Sequence, residues 1–479
     1  MHYFVSSALS SIALLLTANL PQPVIAQAPP IRAYQQKATD DARKAQVLDQ
    51  QQKSAPTRFD LQQYPISDRH LTHWQESLWA IGVLAPEKEY ALQALENVMR
   101  LATANNLSDP QKAIIDTAFQ VGHQLYTLKP AVYSKLRQQF LRTINDSTDP
   151  MWVAIALSAL SKAPIYPELK PNSGRTGDRS QQATQINKLT QKVKQKFPNW
   201  AQDPHLKTTF QTINQNINNG KNLDLSRASL PSLKDLLAWE IAPQQAQMYV
   251  FCRPNRDVLC LSVLKDGNGK FVQQGKQLWS APLLLQSIHN LDWNFTNGRT
   301  PQGIYRMEGV SRQPDDEYFH AYGQFSLVNL FVPFESGVTA FLPKQKGRFT
   351  GNLEAYQALL PASWRNYAPI QQTYWAGNMG RSLFRIHGSG AAINFFSNKS
   401  AVVSNQNFDW NATLGCLSAL EIYDDRGSLL KSDMPKILDA LQKVGRGKVE
   451  GYLVVVDIPS DADQPVTKEE IMKYSLLRL

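Results

Sequence analysis

The sequence predicts a multidomain chain in which an α-helical N-terminal half precedes a β-rich C-terminal domain. Three observations carry that expectation. Apolar residues recur at helical spacing from Ser67 to about Lys162. At about Gln247 the pattern changes to short apolar runs bounded by turn residues, which is how strands read. The 479 residues suffice for two or three domains of roughly 150 residues each. With 43% hydrophobic residues the chain can bury sizeable cores, so wholesale disorder is excluded. A mean hydropathy of −0.36 argues against a multi-span membrane protein.

From the N-terminus, Phe4 to Leu20 is apolar and uncharged, ending in Pro21-Gln22-Pro23. Ala26-Gln27-Ala28 and Val24-Ile25-Ala26 both offer a small-x-small cleavage pattern, so residues 1–28 read as a secretory signal. Met1-His2-Tyr3 lacks the usual basic residue. An uncleaved anchor is the alternative, although the stretch is short for a span. Export is the expectation, to a periplasm or cell envelope, with no integral membrane domain after signal removal. Residues 29–65, rich in Gln, Ala and Pro without sustained periodicity, read as a linker.

Residues 66–165 read as the helical domain. Leu71, Trp74, Leu78, Ile81 and Leu84 share one face, as do Leu92, Leu95, Val98 and Met99. Ser108-Asp109-Pro110 and Thr148-Asp149-Pro150 look like helix starts, an N-cap followed by proline at the first helical position. Their spacing suits a helical-hairpin repeat, and an irregular helical domain equally well. Such a domain is a candidate surface for a protein partner. Residues 166–245, dominated by Gln, Asn, Lys, Thr and Ser, read as a polar helical connector with patches at Ile186–Phe197 and Leu206–Ile217.

Residues 246–460 read as the β-rich domain. Met248–Cys252 and Val258–Leu264 form a hairpin, and Asp266-Gly267-Asn268-Gly269 marks a further turn. Further strands are expected at Gly303–Met307, Ser326–Val332, Ser382–Ile386 and Tyr452–Asp457. Helical inserts fit Leu353–Tyr367 and Met434–Val444, and 461–479 reads as a tail.

Charge and motifs exclude several functions. The net charge of +10 is spread over a chain only 19% charged, without a long run of one sign. The densest basic stretch, Lys188–Lys196, reads as a solvated helix face, so nucleic acid is not an expected partner. Gly267-Asn268-Gly269-Lys270 lacks the earlier glycine of a phosphate loop. His70, His73 and Glu76 share a helix face, yet a solvated helix start explains them better than a metal. His387-Gly388-Ser389-Gly390 has no matching Gly-x-Ser-x-Gly nucleophile turn.

Three cysteines are too few for a disulfide scaffold, and their odd number leaves at least one thiol unpaired. Cys252 and Cys260 flank the hairpin turn, either as a cross-strand disulfide or as two small apolar side chains. Either reading isolates Cys416, in Thr413-Leu414-Gly415-Cys416-Leu417. Upstream lie Phe384-Arg385-Ile386-His387-Gly388-Ser389 and Arg299-Thr300-Pro301-Gln302-Gly303-Ile304-Tyr305. In that order these segments resemble the L,D-transpeptidase catalytic domain, with its Thr-Pro-x-Gly-aromatic, His-Gly-Ser/Thr and Ser/Thr-x-Gly-Cys motifs. The resemblance covers roughly residues 246 to 460 and implies a β-sandwich or barrel with short helices.

The chemistry can be reasoned beside the resemblance. A thiolate attacks, so Cys416 needs an adjacent base, and His387 is the nearest candidate by motif. Gly415 permits a tight turn whose N–H groups, with that of Cys416, could hold an oxyanion, and Thr413 would shape it. The resemblance implies that Gly388 and Ser389 hold the histidine loop. It also implies peptidoglycan stem peptides as substrate, with a Cys416 thioester expelling D-alanine and no metal or cofactor. Two departures stand out. Ser418 stands where the family has an Arg or Asn that supports the site and its anionic substrate. Either Arg381 or Arg385 is then a candidate substitute for substrate binding, or the site is altered, and Asn394 to Trp410 adds a loop. The alternatives are a peptidoglycan peptide hydrolase of the same fold and a non-catalytic cell-wall binding or scaffold protein.

Overall fold

The computed structural model describes residues 40–163, 176–219, 230–312, 325–389, 410–459 and 464–473, less the single positions 255, 257, 411, 425 and 427. The expected signal at 1–28 and most of the extra loop, Trp410 excepted, lie outside these residues.

The N-terminal half is helical: α1 (Asp40–Lys53), α2 (Leu71–Leu84), α3 (Glu89–Met99), α4 (Asp109–Leu128), α5 (Leu136–Asp146) and α6 (Pro150–Lys162). Its start signals act physically. Ser108 Oγ accepts from Gln111 N–H at 3.2 Å, and Gln111 Oε1 accepts from Ser108 N–H at 3.0 Å, a reciprocal cap on α4. Asp149 Oδ1 accepts from the N–H groups of Met151 and Trp152 at 2.9 and 3.1 Å and starts α6. Every residue of α6 from Trp152 to Leu160 is buried, so this helix is the centre of the bundle.

Two segment assignments need correcting. The stretch read as a linker contains α1, and its end packs on α2. Arg58 Nε donates to Ser77 Oγ at 2.8 Å, and the Tyr64 carbonyl accepts from Trp74 Nε1 at 3.1 Å. The polar connector forms α7 (Thr176–Lys196) and α8 (Pro204–Asn219), whose Ile186, Val193, Leu206, Phe210 and Ile213 enter the same apolar core. The helical patches expected at Ile186–Phe197 and Leu206–Ile217 fall on these two helices, which pack into the core instead of only connecting domains.

The C-terminal half holds α9 (Leu233–Ala238) and strands β1 (Ala246–Cys252), β2 (Cys260–Lys265), β3 (Gln273–Gln274), β4 (Gln277–Leu278), β5 (Ser280–Leu283), β6 (Gly303–Ser311) and β7 (Leu327–Phe331). After α10 (Leu353–Gln357) and α11 (Gln372–Asn378) come β8 (Phe384–Ser389), β9 (Leu417–Tyr423), β10 (Leu429–Ser432), α12 (Met434–Val444), β11 (Glu450–Asp457) and α13 (Lys468–Met472). Among the described residues nine strands form one mixed sheet, ordered β10-β9-β8-β7-β6-β11-β1-β2-β5. The sheet curls until Leu284, just beyond β5, exchanges both backbone hydrogen bonds with Ser418 of β9, each at 2.9 Å.

Both faces of the sheet are covered. Met248, Val250, Met307, Leu330, Phe384, Ile386, Leu417 and Ala419 pack inside with α12. Tyr249, Phe251, Ile304, Tyr452 and Val454 pack outside under α9, α10 and neighbouring loops. The β1–β2 hairpin is present, and Cys252 and Cys260 are joined as a disulfide. The helix expected over 353–367 stops after Gln357 and resumes as a short turn at Ala362–Trp364, because Pro361 cannot donate to a continuous helix. The tail packs back through α13: Ile471 is buried and Glu470 pairs with Arg253 at 2.8 Å. Among the described residues no helix is long and apolar enough to cross a membrane.

The two halves meet through the segment between β5 and β6. It leaves the sheet and sets Leu291 and Phe295 into the helical core.

Candidate active site

Strand alternation assembles the site. In β8, Phe384 and Ile386 point into the sheet core, so Arg385 and His387 take the opposite face, both half-buried. In β9, Leu417 and Ala419 point inward, so Cys416 at its head shares the outer face. β8 and β9 run parallel with His387 opposite Ser418. Cys416 Sγ donates to the Leu383 carbonyl at 3.7 Å, and the thiol lies close enough to the His387 imidazole for each to shift the other's pKa.

The proton can be placed. His387 Nδ1 lies 2.8 Å from the Gly388 carbonyl, which only accepts, so Nδ1 carries hydrogen. Nε2 is left for the thiol. Burial would raise the Cys416 pKa, but the hydrogen bond and charge of His387, with the charge of Arg385, outweigh it and hold the thiol below its usual value. Burial would lower the His387 pKa, and the bond and charge of Cys416, with help from the Gly388 carbonyl and Glu421, raise it. Opposite shifts on one pair favour thiolate and imidazolium, the poise of an activated nucleophile.

The turn carrying Cys416 is held by side chains. Thr413 Oγ1 donates to the Cys416 carbonyl at 2.7 Å and accepts from Gly415 N–H at 3.2 Å. Thr300 Oγ1 donates to the Gly415 carbonyl at 2.8 Å. Gly415 has φ +120°, and a Cβ there would lie 2.5 Å from Arg381 Nη2 and 2.9 Å from the Gly298 carbonyl. Only glycine satisfies both demands. The Gly415 N–H is therefore engaged with Thr413, whereas Cys416 N–H makes no hydrogen bond among the described residues.

The structure separates the two arginines. Arg381 is buried, with its guanidinium 4.8 Å from the Phe384 ring centre. It donates to the carbonyls of Trp293, Gly298 (2.7 Å) and Arg299 (3.1 Å). Three of its donors hold backbone and the side chain is buried, so its role is to brace the turn and not to bind substrate. Arg385 is half-buried beside Cys416, donating through Nη1 to the Phe384 carbonyl at 2.6 Å. Ser418 is fully buried and shares a hydroxyl hydrogen bond with Ser389. By strand alternation it lies on the same face as His387 and Cys416, with its hydroxyl spent on Ser389.

Two carboxylates were not singled out from sequence. Glu335 accepts from Val332 N–H at 3.0 Å and from Leu383 N–H at 2.9 Å, holding the entry to β8. Its pKa is raised to about 7 by burial, with Arg385 and those two N–H groups opposing. Glu421 is buried beside Gly388, where a Cβ would overlap its carboxylate. A lone acid within the apolar strand Leu417–Tyr423 was the available signal for Glu421; Glu335, in a loop, had none. Elsewhere, His73 Nε2 donates to the Arg58 carbonyl at 2.8 Å and His70 Nδ1 to the Pro65 carbonyl at 2.9 Å, both spent on local structure. Among the described residues no group of three or more His, Cys, Asp or Glu is placed to hold a metal ion.

Comparisons of the chain with family models, with curated proteins and with solved structures find no match.

Proposed function

We propose that this chain is an exported cysteine acyl-transfer enzyme of the L,D-transpeptidase type, acting on peptidoglycan stem peptides in the periplasm or cell envelope. The observation that carries the reading is the Cys416–His387 pair, brought together by adjacent parallel strands and shifted in opposite directions. The apolar, uncharged stretch Phe4 to Leu20 supports export.

In this reading the Cys416 thiolate attacks the carbonyl after the third residue of a tetrapeptide stem. Cys416 N–H, free of other bonds among the described residues, donates to the oxyanion. His387 then gives its proton to the departing amine, D-alanine leaves, and a thioester remains. An acceptor amine attacks the thioester, loses a proton to His387 and releases the thiolate with a new peptide bond. Water in place of the amine yields hydrolysis.

Wild type and Cys416→Ala incubated with tetrapeptide muropeptides test the proposal. The expected outcome is D-alanine release by wild type alone, with a covalent carbapenem adduct at Cys416. Cross-linked and hydrolysed products separate transpeptidation from hydrolysis. No release by either protein, with both pelleting on sacculi, establishes the non-catalytic binding protein instead.

A further inference from the structure

The segment between β5 and β6 is bonded at both ends of its course. On one side it is seated in the helical half. His123 Nδ1 donates to the His289 carbonyl at 3.0 Å, and His289 Nδ1 lies 2.9 Å from Gln124 Oε1. Asn297 Nδ2 donates to Gln120 Oε1 at 2.8 Å. Lys162 Nζ, at the end of α6, donates to the Asn290 carbonyl at 2.7 Å and pairs with Asp292 at 3.2 Å. On the other side the segment touches the nucleophile turn. Ile288 N–H donates to the Thr413 carbonyl at 2.9 Å, and Thr413 N–H to the Gln286 carbonyl at 3.1 Å. Arg381 gathers three of its carbonyls, and Thr300 donates to Gly415.

We propose that residues 284–300 are a strut through which the helical half positions the Cys416 turn, with Lys162 and Thr300 as positioning residues at its two ends. The helical half is then part of the reactive unit, whatever partner it also engages. The seam is built for constancy. His123 and His289 are both buried and lowered by that burial to about 3, so they stay neutral donors and acceptors through the physiological range. Asp292 is the reverse case. Burial pushes its carboxyl up, and Lys162 and Arg299 outweigh this and keep it ionised. Without Lys162 the nearest remaining cation is Arg299, at 3.8 Å. An exact backbone path matters at the far end because Gly415 sits against Arg381 and the Gly298 carbonyl, with no slack for a shift.

The proposal rests on Cys416 as the reactive thiol and not on the identity of the substrate. Cys416 is the free cysteine and the other two are paired, so iodoacetamide reports on it alone. Its alkylation rate is measured against pH on full-length wild type, Lys162→Met, Lys162→Arg, Thr300→Val and Thr300→Ser, with circular dichroism confirming the fold. Lys162→Met and Thr300→Val are expected to lower the rate at pH 7 by roughly tenfold or more. The midpoint should also move up toward that of an ordinary thiol. Lys162→Arg and Thr300→Ser, which keep the donors, are expected to match wild type. A wild-type rate and midpoint in folded Thr300→Val, which keeps the side-chain shape, overturns the proposal whatever Lys162→Met does. Muropeptide turnover tests the transpeptidase reading separately, because alkylation needs no peptidoglycan.

Discussion

The two members of the candidate pair are held by different kinds of structure. His387 lies inside β8, and the backbone ladder from Val328↔Ile386 on one side to Gly388↔Ala419 on the other fixes its position. Cys416 lies in a turn before β9, positioned by single side-chain hydrogen bonds from Thr300 and Thr413 and by the packing of Arg381 against Gly415. A ladder tolerates loss of any one side chain, because its bonds are main-chain. A turn held by hydroxyls does not. The base should therefore be insensitive to remote substitution and the nucleophile sensitive to it.

Direct removal gives the largest effect. His387→Ala is expected to lower muropeptide turnover about 10²–10⁴-fold and to move the Cys416 alkylation midpoint upward, since the bond and charge that hold the thiol down are lost. Next, Gly415→Ala is expected to cost roughly 10²-fold in turnover, while the histidine strand keeps its hydrogen-exchange protection. Equal loss of protection in β8 would break the comparison. Glu335→Gln sharpens it at the head of the histidine strand. The native-state pKa of Glu335 is raised, so its favourable contribution is full below about pH 4.5 and disappears as pH rises to about 7. The variant should flatten that part of the pH–stability curve, by roughly 3 kcal/mol in denaturant titrations. The smallest effect is expected far from the pair. Ser108→Ala removes the α4 cap at a cost of about 1 kcal/mol in thermal unfolding, with thiol reactivity unchanged.

Local pattern made much of the fold legible. The β1–β2 hairpin, the helix Met434–Val444 and the caps at Ser108 and Asp149 follow from periodicity and turn chemistry over a few residues. Cys416 and His387 were legible as types in context, and the structure brings them together. What stayed hidden depends on partners distant in sequence. Nothing was assigned to Ser287 to Arg299 from sequence, because its meaning lies in Gln120, His123, Gln124 and Lys162. Arg381 read as an anion binder, since nothing local shows that three carbonyls consume its donors. The helices α7 and α8 were legible from their apolar patches, but not that Ile186, Val193 and Leu206 seat them in the core of the N-terminal helices.

The closing bridge between Leu284 and Ser418 also sets an order in time. It joins positions far apart in the chain, so its loop-closure cost favours late formation. On the strut proposal, the 284–300 segment braces the turn only once that bridge has formed, and before then Cys416 is expected to react as an ordinary thiol. A newly made chain carrying three cysteines thus has an interval in which Cys252 and Cys260, neighbours in one hairpin, can pair without competition from an activated third. On that proposal, activation of the thiol comes with completion of the sheet, and the hairpin disulfide is expected to form ahead of it.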